Sequence, residues 1–194
     1  MSERATLTAR GLARQEALIE TATDLFLGKG FDAVSVDEIV AAAGGSKTNI
    51  YRQFGNKTGL FTAVVERMSQ EFLSPLDQLV LGPVDLEIGL QILGRTLLGQ
   101  LLTPKHIAFQ RMVIASSVQF PDLMTHWYEV GPRRSQSIFR SQIEKSSGAP
   151  ELAVLFHDML VTEPVTRAMM GRPMAAEDVE AHIQSAVRLV ISGV

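Results

Sequence analysis

The sequence predicts an all-α protein, with a three-helix helix-turn-helix domain at its N-terminal end and a larger helical domain after it. Three observations predict this. Apolar residues recur at three- and four-residue spacing along most of the chain, and the strict alternation of a strand is nearly absent. Glycine pairs and prolines fall between the periodic segments, where they start and stop helices. Between Gly44 and Leu60 the only charged residues are Lys47, Arg52 and Lys57, inside a chain of formal net charge −3.

The elements follow in order. In RQEALIETATDLFLGKG, the residues Leu18, Ala22, Leu25 and Phe26 form one apolar stripe, and Gly28 to Gly30 end this first helix. Ser35 and Glu38 have the spacing of a capping box, in which each side chain meets a free amide at a helix start. Ile39, Val40 and Ala43 then make a short second helix that stops at Gly44-Gly45. A third helix spans about 46–54, with Ile50 and Phe54 facing inward. The fourth starts near Asn56, a favourable cap, and continues to Pro75. Beyond it, helices are predicted at 86–102, 104–119, 121–146, 150–170 and 176–192. Gly131-Pro132 is expected to kink or split one of them, and Pro164 another. The predicted domains are residues 1–60 and 61–194.

Composition narrows the function classes. With 46% hydrophobic and 20% charged residues, the 194-residue chain folds rather than remaining disordered. Its most apolar region, IGLQILGRTLLGQLL, is interrupted by Arg95, so no membrane span of roughly 18 residues is predicted. The opening MSERATLTARG lacks the apolar core of a secretory signal. There is no cysteine, which removes disulfides, thiolate zinc sites and thiol catalysis, and fits a cytoplasmic protein. The histidines His106, His126, His157 and His182 show no metal-ligand spacing. No nucleophile elbow, phosphate-binding glycine loop or paired catalytic acids is present. No catalytic residue, metal or cofactor is expected.

Two short helices joined by a glycine turn and braced by a longer one make a helix-turn-helix, whose second helix suits a DNA major groove. If Ile50 and Phe54 pack inward, then Lys47, Thr48, Asn49, Tyr51 and Arg52 face out. Asn49 can pair with a base edge, the Thr48 methyl can touch thymine, and Lys47 can reach guanine or phosphate. Tyr51, Arg52 and Lys57 are phosphate clamps, aided by Ser35 and the amides of residues 56–58 at two helix starts. Gly45 and Ser46 complete the expected contact set at the turn. Arg4, Arg10 and Arg14, against Glu3, add positive charge in the preceding arm. The acids Glu151, Asp158, Glu163, Glu177, Asp178 and Glu180 gather at the other end.

Residues 12–65 resemble the DNA-binding domain of TetR-family transcriptional regulators. The resemblance rests on Leu25-Phe26, Gly30-Phe31, Val36, Ile39, Ala43-Gly44, Ser46, Ile50-Tyr51, Phe54, Lys57 and Leu60. The chain departs from that pattern at Gly45, where a branched residue is common, at Thr48, where glycine is frequent, and at Thr58, where glutamate is. Because Thr48 lies on the groove face beside Asn49, the operator sequence does not transfer from relatives. The segment AFQRMVIASSVQFPDLMTHWYEVGP resembles the AefR-like C-terminal domain. These resemblances imply a homodimer that represses from a double-stranded, palindromic DNA operator and is released by a small-molecule effector.

For the second domain, Met68, Phe72, Leu97, Met112, Trp127, Tyr128 and Phe139 are candidate walls of an apolar pocket. Ser116, Gln119 and His126 are candidate hydrogen-bonding groups. Apolar stripes on the last two helices suggest a four-helix interface with a second copy. One is Leu152, Leu155, Phe156, Met159 and Leu160; the other is Val179, Ile183, Ala186, Val187 and Val190. The reading is a ligand-responsive DNA-binding regulator, foremost a repressor; activation would use the same residues and differ only in where the operator lies relative to the promoter. The alternative is a helical small-molecule binding or enzyme-like protein that keeps the helix-turn-helix only for packing.

Overall fold

The computed structural model describes residues 9–147 and 150–192, so Glu3 and Arg4 of the basic arm lie outside the described residues. Among the described residues there are ten helices and no strand. They form two compact units, one ending at Met68 and the other starting at Ser69.

The first unit holds α1 (Ala9–Lys29), α2 (Val36–Ala43), α3 (Lys47–Phe54) and the start of α4 (Lys57–Asp77). It extends past the boundary at 60/61 expected from sequence, because Leu60, Phe61, Val64 and Val65 of α4 are all fully buried. Phe61 meets Phe26 edge-on at 5.4 Å between centroids and Phe31 at 4.7 Å. Contacts of this kind add to the stabilisation from apolar burial alone. The Ser35 hydroxyl accepts from the Glu38 amide at 3.1 Å, as the capping box requires. The Glu38 carboxylate pairs with Lys29, which with the Ser35 backbone amide holds it below the usual carboxylate range.

Two glycine features fix the turn geometry. Gly44 and Gly45 have φ of 69° and 138°, a region that side chains with a Cβ rarely enter. Gly59 sits so close to the preceding loop that a Cβ there would lie 1.9 Å from the Phe54 carbonyl oxygen. Asn56 caps α4 by accepting from the Gly59 amide at 2.8 Å.

The second unit contains the remainder of α4 with α5 (Leu86–Leu101), α6 (Pro104–Ala115), α7 (Pro121–Val130), α8 (Pro132–Ser147), α9 (Leu152–Met169) and α10 (Ala176–Ile191). Its core joins Leu90, Leu97, Phe139, Phe156, Leu160 and Val187. At Gly94 of α5, an added Cβ would stand 3.3 Å from Ile183 and 3.5 Å from Leu160, so this glycine lets α5 approach α9 and α10 closely.

The predicted break at Gly131-Pro132 is present, separating α7 from α8. Three other expectations are corrected. The segment predicted at 104–119 ends its helix at Ala115, where the Ser116 hydroxyl turns back onto the Met112 carbonyl at 2.9 Å. α4 continues past Pro75 to Asp77, with the proline in its last turn. α9 runs through Pro164 without a break. Proline there removes the amide that would have bonded the Leu160 carbonyl. His182 of α10 supplies a substitute, its Nε2 lying 3.1 Å from both the Leu160 and Met159 oxygens.

Candidate DNA-reading face and buried cavity

Ile50 is fully buried and anchors α3, while Phe54 is half-buried. This leaves Gly45, Ser46, Lys47, Thr48 and Arg52 exposed, Tyr51 half-exposed, and Asn49 partly covered. The exposed side chains are held in defined positions. The Lys47 ammonium lies 2.7 Å from Asp37 of α2, and this carboxylate raises its pKa. Arg52 donates to the Asn49 side-chain oxygen at 3.1 Å. Ser46 starts α3 without a side-chain cap bond, so its hydroxyl remains available. The Ser35 hydroxyl accepts at the start of α2 and keeps its proton for a further acceptor.

Lys57, a phosphate clamp in the sequence reading, is partly buried. Its ammonium sits over the Phe31 ring, 4.1 Å from the centroid, and burial pushes its pKa down against the opposing pull of Asp32. Arg14 is more prominent than its place in a general basic arm suggested. Its guanidinium nitrogen lies 3.2 Å from where a Gly45 Cβ would be. Glycine at 45, the departure noted above, leaves the space that Arg14 occupies beside the turn. The spacing of 31 residues between them hid this contact from sequence reasoning.

The second unit holds a partly open cavity of about 70 Å³. Of the candidate wall residues, Phe72, Leu97 and Trp127 line it. Met68 is fully buried but is not among the lining residues, and Met112 and Ser116 are buried elsewhere. Tyr128 points outward, 38% exposed, with Arg133 stacked 5.3 Å from its ring centroid. Phe139 is packed in the core against Phe156.

The cavity's polar groups escaped the sequence reading because they are spread over four helices. They are Ser69 of α4, His106 and Gln110 of α6, Ser135 of α8 and His157 of α9. The Ser135 oxygen lies 2.8 Å from His157 Nε2, and His157 Nδ1 lies 3.0 Å from Asp158. Burial holds His157 towards its neutral form despite Asp158. Neutral His157 with its proton on Nδ1 donates to the carboxylate and leaves Nε2 as an acceptor, and the one Ser135 proton serves either that nitrogen or the Pro132 carbonyl oxygen 2.9 Å away. The Ser69 hydroxyl and His106 Nδ1, by contrast, are buried with no hydrogen-bond partner among the described residues. Burial pushes the His106 pKa down to about 4, so the ring is neutral at physiological pH.

The apolar stripes of α9 and α10 divide between core and surface. Phe156, Ile183, Val187 and Val190, expected to meet a second copy, are buried within one chain, because α5 and α8 already cover that side. Leu152 and Met159 are partly buried against the same core. Leu155 is 66% exposed, and Val154 and Leu189 also face outward.

No helix among the described residues is long and apolar enough to cross a membrane. Among the same residues, no group of three His, Cys, Asp or Glu side chains is placed to hold a metal ion.

A capped helix-turn-helix presenting an exposed polar helix, followed by an all-helical unit, defines a DNA-binding transcriptional regulator. Residues 18–64 match the family model for bacterial regulatory proteins of the tetR family, and residues 89–192 match that for the C-terminal domain of AefR-like transcriptional repressors. The chain belongs to the TetR family. It is similar to the crystal structure of a TetR-family regulator from Mesorhizobium loti, at 26% identity and a TM-score of 0.77, covering 95% of this chain and 98% of the other. The flavonoid-responsive regulator FrrA is similar at 25% identity and a TM-score of 0.76, covering 93% and 96%. The DNA-binding transcriptional repressor TetR of Mycobacteroides abscessus is 36% identical over 66 residues, 34% of this chain and 35% of that one. The chain spans between 28% and 35% of the curated relatives it matches first, and those matches are 58 to 66 residues long.

Proposed function

We propose that this regulator is a homodimeric repressor that leaves a palindromic operator when a small molecule enters the cavity of its second unit. The observation that carries the reading is α4, one continuous helix that begins at Lys57 and contributes Ser69, Phe72 and Leu73 to the cavity wall. A cavity of about 70 Å³ is smaller than the ~150 Å³ that admits benzene, so a ring enters only as wall helices part. An effector therefore has differential affinity for an expanded conformation, which is what a population shift requires. Displacement of α4 carries that preference to the helix-turn-helix and weakens operator binding.

The likeness to an AefR-like repressor domain supports repression, and the similarity to a flavonoid-responsive regulator supports a small-molecule effector. For the dimer, the outward Val154 and Leu155 of α9 and Leu189 of α10 are the apolar side chains that a second copy would cover. Paired recognition helices then meet major-groove faces about 34–36 Å apart.

Within the operator complex, Lys47, Thr48 and Asn49 read bases. Tyr51 and Arg52 hold phosphates, joined by Arg14, Ser35 and Ser46. The test is fluorescence anisotropy on DNA from the region upstream of this chain's own coding sequence. Steeply salt-dependent, sequence-selective binding is expected. Affinity indifferent to sequence and salt would overturn the reading and favour a helix-turn-helix kept only for packing.

A further inference from the structure

The cavity's own chemistry narrows the class of effector. Resting on the reading of this cavity as the effector site, we infer that the ligand is a neutral, single-ring-wide aromatic carrying a hydroxyl group that bonds both the Ser69 hydroxyl and His106 Nδ1.

Three observations converge on it. First, the side chains of Ser69 and His106 are 4% and 7% exposed, and both keep a buried polar atom with no protein partner among the described residues. An unsatisfied buried polar atom is costly, so a ligand that completes it gains more than one that only fills space. Of the other polar groups, Ser135 and His157 make no such demand because they bond each other, and Gln110 is only partly buried.

Second, the remaining wall next to these atoms is aromatic. Phe72 meets the His106 ring edge-on at 4.5 Å, and Phe109 lies 5.8 Å from each of them. Flat rings in T-shaped contact accept another flat ring by the same edge-to-face geometry. Trp127 lines the wall beside Gly131 and near Ser69, since an added Cβ at Gly131 would reach the Trp127 indole nitrogen at 3.7 Å and the Ser69 oxygen at 3.8 Å.

Third, no Lys, Arg, Asp or Glu lines the cavity, and burial keeps its histidines towards the neutral form. A carboxylate or ammonium ligand would lose its hydration without gaining a counter-charge. A hydroxyl both donates and accepts, and so matches either tautomer of His106 as well as the rotating Ser69 proton.

The test compares 4-ethylphenol, ethylbenzene and 4-ethylbenzoate on the full chain by calorimetry. Trp127 fluorescence provides a second signal, since this single tryptophan lines the cavity and reports occupancy there. The expected result is that 4-ethylphenol binds about tenfold more tightly than ethylbenzene and that 4-ethylbenzoate does not bind. Ser69→Ala and His106→Phe each remove about that factor for the phenol and leave ethylbenzene unchanged. Equal binding of ethylbenzene, preference for the carboxylate, or no change in either variant overturns the inference. Failure of all three compounds to bind overturns it too, and the two polar atoms are then simply hydrated. Operator anisotropy with the same compounds separates the two claims. A phenol that binds through Ser69 and His106 without releasing DNA leaves this inference standing and removes the effector reading.

Discussion

On the exposed face of α3, the Arg52 guanidinium donates to the Asn49 side-chain oxygen at 3.1 Å. The two residues are one turn apart, and on the proposed reading the phosphate-seeking cation also orients the amide that meets a base. The expected consequence is that Arg52→Ala weakens operator binding across all sequences and lowers the salt slope by about one, with some loss of base discrimination through the freed amide. Asn49→Ala relaxes preference at one base position by about 1–3 kcal/mol and leaves the salt slope unchanged. Anisotropy titrations over a salt series with single-base operator variants measure both. A change of salt slope in Asn49→Ala would contradict this division.

On the proposed reading, Lys47 must leave Asp37, which lies 2.7 Å away on α2, to reach DNA. Asp37→Asn removes that competitor and a like charge facing the phosphates. The variant is expected to bind the operator up to about fivefold more tightly at low salt, with the gain vanishing at high salt. Unchanged or weaker binding at low salt would show that Lys47 takes no part in the contact.

Leu155 and Val187, members of stripes that look equivalent in sequence, face opposite ways. Leu155 is 66% exposed, whereas Val187 is completely buried. Leu155→Asp is expected to produce a folded monomer by light scattering and circular dichroism, with operator affinity reduced at least tenfold through loss of bivalent contact. Val187→Asp buries an unpaired charge and is expected to unfold the second unit. A dimer surviving Leu155→Asp, with undiminished DNA affinity, would place the interface elsewhere.

His106 links stability to pH. Its pKa falls from an ordinary 6.5 to about 4 on folding, so below about pH 6.5 the unfolded chain takes up a proton that the folded ring refuses. Stability is therefore fully present above pH 6.5 and declines as pH falls towards 4, by about 3 kcal/mol over that window. Denaturant unfolding from pH 7.5 to 4.5 is expected to show this slope, and His106→Phe to make it shallower, leaving the part owed to buried His157. An equal slope in the variant would assign the dependence to other groups.

The N-terminal pattern alone determined the helix-turn-helix, because caps, glycine turns and apolar spacing act within a few residues of one another. Ser35 with Glu38, Gly44-Gly45, Ile50 and Asn56 specify α2, the turn, α3 and the start of α4 through contacts the chain cannot avoid once local helices form. The same local rule placed the split at Gly131-Pro132. Tertiary structure decided everything that depends on which elements meet. It let α9 continue through Pro164, since His182, 18 residues later, stands in for the missing amide at the Leu160 carbonyl. It turned Phe156, Ile183 and Val187 into the core and left Leu155 outside, because a wide apolar stripe carries no mark of which neighbour covers it. It brought Arg14 to Gly45 and drew Ser69 and His106 into one cavity wall. Such residues become a site only when packing removes their water, and no spacing along a single helix encodes that.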